Sequence, residues 1–171
     1  MNLLRNTAKF AMSITADYIN KGDTVVDATV GNGNDALALS RLVGETGKVY
    51  GFDIQPLALM RASEFLMQNE APSEIELVYN GHEEMDRHIS EEVSAIVFNL
   101  GYLPSADKSV ITKPHTTLEA IEKILDRLEV GGRLAIMIYY GHDGGDMEKD
   151  AVLEYVIGLD QRDFTAMLYQ P

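Results

Sequence analysis

The chain of 171 residues contains no cysteine, which excludes a disulfide framework and a thiolate metal site. Its four histidines are scattered and form no HExxH-like pair, so no metal is expected. Long apolar runs are also missing. The opening "MNLLRNTAKFAMSITADYI" is broken by Arg5, Asn6 and Lys9, which removes it as a signal peptide or membrane span and predicts a soluble, cytoplasmic protein. Positive charge is scarce: 14 Lys and Arg stand against 27 Asp and Glu, a formal net charge of -13. Such a surface repels polyanions at long range and argues against a large nucleic-acid footprint. Small local patches remain, at Arg5 with Lys9 and at Lys108, Lys113 and His115. No repeat, low-complexity segment or linker interrupts the chain, and 46% hydrophobic content suits one domain, residues 1–171, around one core.

What is present is a regular alternation of strand and helix patterns. Phe10, Ala11, Ile14 and Tyr18 share helical spacing over residues 7–20, and "KGD" stops that helix. "TVVDAT" reads as a buried strand, "DALALSRLV" as a short helix closed by Gly44, and "KVYGFD" as a second strand. Pro56 opens the next helix, "PLALMRASEFLMQN", before strands at "IELVYN" and "SAIVFNL". Beyond a loop of about a dozen residues, long enough to suggest function, Pro114 begins a helix whose Leu118, Ile121, Leu125 and Leu128 form one stripe. A fifth strand is expected at "GGRLAIMIYY" after a Gly-Gly stop, a helix near 146–158, and a sixth strand at "FTAMLY". This order predicts an α/β protein: a Rossmann-like, doubly wound, mainly parallel sheet with ligands bound at the carboxyl ends of its strands.

One loop stands out. In "VVDATVGNGNDALALS", Gly31, Gly33 and Ala36 fit G-x-G-x-x-G/A, and Asp53 lies twenty residues past Gly33 at the end of the next strand. Glycines let the backbone approach a ligand closely, and a carboxylate in that register accepts hydrogen bonds from both hydroxyls of a ribose. The plain alternative is a tight strand-to-helix connection. A dinucleotide site often lacks an acid before its glycines, whereas Asp27 precedes Gly31 and Gly33 here. The loop resembles the D-x-G-x-G-x-G motif of S-adenosylmethionine-dependent methyltransferases, with Thr29 in place of the first glycine. An acid beside the loop suits a sulfonium cofactor with an ammonium tail and would repel a pyrophosphate. Asn32, Asn34 and Asp35 open the following helix, whose amino end suits the cofactor's carboxylate; capping by Asn34 or Asp35 is the competing role. Gln55 is expected to line the ribose or adenine, or to cap the Pro56 helix, and Asn80 and His82 in "NGHEE" stand where an adenine edge would lie.

"FNLGYLP", after the fourth strand, resembles the (D/N/S)-P-P-(Y/F) motif of amino-group methyltransferases, matched at Asn99 and Tyr102, with Leu100 and Gly101 replacing the two prolines. An attacking amine must be neutral, with its N–H bonds held so that its lone pair faces the methyl carbon. The Asn99 side-chain carbonyl and the Leu100 backbone carbonyl suit that task, and Tyr102 suits stacking on a planar base or excluding water. If a proton acceptor is needed, His142 in "YYGHDGG" is the first candidate, with Asp143 beside it, and a plain surface-turn histidine is the alternative.

Together, "DATVGNGND", "YGFDIQ", "FNLGYLPSADKS" and "YYGHDGG", in this order and spacing, resemble a small bacterial family. It was first labelled as rRNA methylases and is now assigned as tRNA 5-aminomethyl-2-thiouridine methyltransferases. The resemblance covers nearly the whole chain. It implies N-methylation of the aminomethyl group on a wobble uridine, with S-adenosylmethionine as donor. The acidity limits the expected contact to the tRNA anticodon arm, through Arg5, Lys9, Lys108 and Lys113, with a homodimer as one way to join two small basic patches; a solvated surface charge is the alternative for each of these residues. Members of that family continue into a further antiparallel hairpin strand, so the expectation at Pro171 is a trimmed chain or a lost last strand. The competing functions are methylation of small-molecule amines or of rRNA, and a non-catalytic nucleoside-binding module; a nicotinamide oxidoreductase has less support.

Overall fold

The computed structural model describes residues 6–100, 114–140 and 145–170. In chain order its elements are α1 (Thr7–Ala16), β1 (Thr24–Asp27), α2 (Asn34–Val43), β2 (Lys48–Asp53), α3 (Pro56–Gln68) and β3 (Glu74–Tyr79). A 3-10 turn (His82–Glu84) follows, then α4 (Met85–His88), β4 (Val93–Leu100), α5 (Pro114–Leu125), β5 (Leu128–Ile138) and α6 (Gly145–Ile157). The five strands form one sheet in the order β3-β2-β1-β4-β5, and every pairing is parallel.

The apolar strand runs arise because both sheet faces are covered, so consecutive side chains enter different cores. Val25, Val49, Ala95 and Val97 pack with α1, α2 and α3 on one face. Val26, Tyr50, Ile96 and Phe98 pack with α4, α5 and α6 on the other. Phe52 and Phe98 are fully buried, and burial of a side chain of that size contributes about 1.5–3 kcal/mol.

From β1 the chain winds outward through β2 to β3, then returns to place β4 on the other side of β1. That reversal opens a crevice at the carboxyl ends of β1 and β4. The loop leaving β1 is tied to both neighbours: Ala28 N–H donates to the Val97 carbonyl (2.8 Å) and Val30 N–H to the Phe52 carbonyl (2.9 Å). Gly33 has φ +86°, and a Cβ there would sit 3.2 Å from the Ala62 backbone of α3, so the close approach of α2 and α3 requires glycine.

Two expectations need correction. Gly131 and Gly132 lie inside β5, not before it. The register passes from Val93↔Leu128 to Ala95↔Arg133, so β5 bulges there, and Gly131 at φ +89° absorbs the bend. Leu128 accordingly belongs to the strand and not to the α5 stripe. The expected sixth strand at 164–169 has no regular structure: Met167 and Leu168 are exposed, while the Tyr169 ring lies 4.4 Å from that of Phe10 on α1. Strand-like composition describes a side-chain fit to a pleated surface and creates no ladder without a paired neighbour. Among the described residues no helix is long and apolar enough to cross a membrane, and no group of three or more His, Asp or Glu is placed to hold a metal ion.

Candidate active site

Three carboxylates meet at the crevice. Asp27, at the end of β1, is fully buried. Its Oδ1 accepts the Thr29 N–H at 3.2 Å, while Oδ2 is buried without a hydrogen-bond partner. Burial, and then the Asp35 charge, push the Asp27 carboxyl up to about 8. Burial also raises Asp35, against a hydrogen bond from the Asn99 side chain, and raises Asp53, against N–H bonds from Gln55 and Gly31. An unpartnered carboxylate oxygen in such a place is costly unless a donor or a cation arrives.

Asp53 shapes the loop as well as the pocket. Its Oδ2 accepts the Gly31 N–H (3.0 Å) and its Oδ1 the Gln55 N–H (2.9 Å). A carboxylate has about four lone-pair sites, so each oxygen retains capacity for one ribose hydroxyl. Gly33 caps α2 with no side-chain hydrogen bond to the first turn, which leaves helix N–H groups for an anionic ligand group. Neither Asn34 nor Asp35 is therefore the cap, and Asn32 and Asn34 are exposed at the mouth.

Asn99, near the end of β4, is held at two points. Its main-chain N–H donates to Thr29 Oγ1 (2.7 Å), and its side-chain Nδ2 donates to Asp35 Oδ2 at a long 3.4 Å. The Asn99 segment and the glycine loop thus lie against each other. With its NH2 turned to a carboxylate, the Asn99 amide keeps its carbonyl oxygen for another partner.

The arrangement suits a cationic nucleoside, and comparison with known proteins agrees. Residues 49–171 match the family described as "Putative rRNA methylase". The chain belongs to that family. It is 38% identical, over 97% of its length, to the "tRNA (mnm(5)s(2)U34)-methyltransferase, chloroplastic" of Arabidopsis thaliana, and spans 64% of that protein. A crystal structure of a "putative rRNA-methylase" from Clostridium thermocellum superposes with a TM-score of 0.89 at 44% identity, covering 92% of this chain and 84% of that one. A "putative methyltransferase" from Streptococcus mutans, solved in complex with SAH, gives 0.88 at 49% identity, with 97% and 89% covered. The chain therefore carries the fold of an S-adenosylmethionine-dependent methyltransferase.

In this domain the predicted residues Asp27, Gly31, Gly33, Asp35, Asp53 and Asn99 converge on one crevice. Gln55 joins it through its backbone, and its side chain caps nothing. His82 is only 9% exposed, its ring edge-on to Phe98 at 5.6 Å and its Nε2 buried without a hydrogen-bond partner. Burial lowers its pKa, against the Glu83, Glu148 and Asp53 charges. Asn80 closes its own turn, with Oδ1 accepting the Gly81 N–H (2.9 Å) and Nδ2 meeting His88 (3.3 Å). Lys9 lies exposed on the first turn of α1. Arg5, Tyr102, Lys108, Lys113 and His142 lie outside the described residues.

Two features escaped the sequence reading. Thr29 is a hydrogen-bond acceptor and not merely a departure from glycine. Glu148 on α6 is 2% exposed and accepts the Thr117 hydroxyl at 2.7 Å. Its signal was present, since Glu148 falls four residues before Val152 on the inward face of α6.

The raised Asp27 carboxyl yields a pH prediction. A cationic ligand favours its ionised form, so binding below pH 8 expels a proton and affinity rises with pH. From pH 7 to 8 the ionised fraction increases about fivefold. S-adenosylmethionine affinity should strengthen by about that factor, and Asp27→Asn should abolish the difference. Titration calorimetry of both proteins at the two pH values checks this; equal pH dependence refutes it.

Proposed function

We propose that the domain transfers a methyl group from S-adenosylmethionine to the aminomethyl nitrogen of 5-aminomethyl-2-thiouridine at the tRNA wobble position. The observation that carries this reading is the contact of Asn99 with Asp35 and Thr29, which joins an amine-type acceptor motif to a cation-favouring cofactor loop. The name of the Arabidopsis relative supports the substrate.

The residues present fit the cofactor. Asp53 would hold the ribose hydroxyls, Asp27 and Asp35 would favour its positive charge, and the start of α2, which has no side-chain cap, would take its carboxylate. When bound, S-adenosylmethionine supplies an electrophilic methyl group. The Asn99 carbonyl accepts one N–H of the incoming amine and directs its lone pair, and the Leu100 carbonyl assists. Tyr102 stacks on the uracil ring and excludes water. Where the amine must shed a proton, His142 is the residue to receive it. Lys9 with Arg5, and Lys108 with Lys113, contact phosphates of the anticodon arm, and pairing of two copies would double the small basic surface. With a net charge of -13, that contact is short-range and confined.

The test is incubation of the protein with labelled S-adenosylmethionine and tRNA that lacks only this methyl group. Label is expected on the wobble base, and its absence there rejects the reading. The acidic surface favours one rival, a small-molecule amine methyltransferase, which would label free amines with no response to tRNA.

A further inference from the structure

The glycine loop carries Thr29 where the motif has its first glycine. A substitution at a point of close ligand approach needs a physical reason, and the strand pairing provides one. β1 and β4 pair in parallel through Asp27↔Val97, and the Ala28 N–H continues the ladder to the Val97 carbonyl at 2.8 Å. The next rung of a parallel ladder would take the Asn99 N–H to a main-chain carbonyl of β1. Here that N–H goes to the Thr29 side chain at 2.7 Å, as the β1 chain turns away into the loop. Glycine at position 29 would leave the Asn99 N–H without this acceptor.

We infer that Thr29 is a positioning residue for methyl transfer: its hydroxyl extends the β1–β4 ladder by one rung and fixes the acceptor-side Asn99 against the donor loop. The anchor acts on the backbone of Asn99, while Asp35 holds its side-chain amide. Together they set both the place of the residue and the direction of its carbonyl. The hydroxyl is needed as an acceptor, so serine serves in place of threonine and valine, of nearly the same shape, does not. This inference rests on the reading of Asn99 as the group that receives the amine.

The experiment compares Thr29→Val, Thr29→Ser and wild type in methyl transfer to tRNA lacking this methyl, in affinity for S-adenosylhomocysteine, and in hydrogen exchange of the Asn99 amide. In Thr29→Val, kcat is expected to fall about tenfold, the equivalent of one net hydrogen bond. S-adenosylhomocysteine affinity should stay within about twofold, because the loop's ties to Asp53 are intact. The Asn99 amide should exchange faster in Thr29→Val, and Thr29→Ser should restore both rate and protection. A merely structural role would lower stability and cofactor affinity together, with no recovery in the serine variant. If Thr29→Val does not fold, Thr29→Ala takes its place with the same expectations. Unchanged kcat with unchanged Asn99 protection overturns the inference. If wild type labels no tRNA, the substrate reading fails by itself, and the Asn99 exchange rates still decide whether Thr29 anchors that residue.

Discussion

Replacing Asn99 by alanine is expected to lower kcat by about 10²–10³-fold at saturating cofactor, the range found when one preorganised polar group facing the reacting atoms is removed. Its side chain would contribute an acceptor for the amine N–H, with a direction fixed by its own NH2 turned toward Asp35. The main-chain N–H bond to Thr29 survives the substitution, so the end of β4 keeps its place and the loss reports the side chain alone. Two controls separate this from unfolding. Affinity for S-adenosylhomocysteine should be little altered. The Asp35 carboxyl should move further up, because the Asn99 hydrogen bond now holds it down against burial. Single-turnover transfer and carboxylate NMR measure the two effects. A kcat within about threefold of wild type would remove Asn99 from the reacting centre.

Asp53→Ala is expected to weaken cofactor binding by about 100-fold, the scale of two hydrogen bonds to a charged acceptor. Besides the ribose grip, the substitution cuts the ties from Asp53 to the Gly31 and Gln55 N–H groups, which join the β1 loop to the start of α3. Burial keeps the Asp53 carboxyl above its ordinary range, and those N–H donors oppose the rise. Asp53→Asn, with one carbonyl acceptor, should fall between alanine and wild type. Calorimetric titration with S-adenosylhomocysteine gives the order. Equal affinity in all three proteins would place the sugar elsewhere, and with it the interpretation of the whole crevice.

Much of the site was legible because its signals are local. Asp27, the glycines and Asp53 are recognised by spacing along consecutive elements, although the close approach of Ala62 on α3 that requires glycine at position 33 is a tertiary contact. Asn99 was recognised from the residues around it. What it touches was not recognisable there, because Thr29 and Asp35 lie 70 and 64 residues away. Thr29 looked like an imperfection of the motif for the same reason. Glu148 was not singled out at all, because its partner, the Thr117 hydroxyl, comes from α5 and not from its own helix.

The alternation of the first five strands with the main helices, the glycine loop and the acidic character of its surroundings follow from the chain read as text, since periodicity, capping and turn chemistry act within a few residues; the short helical turns at 82–88 do not. The return of β4 to the side of β1, the bulge at Gly131, the irregular course of residues 164–169 and the rung between Thr29 and Asn99 were decided in three dimensions. Each of these depends on which distant strand supplies the next hydrogen-bond partner. That choice is made by burial of both sheet faces at once, a condition that no single stretch of sequence contains.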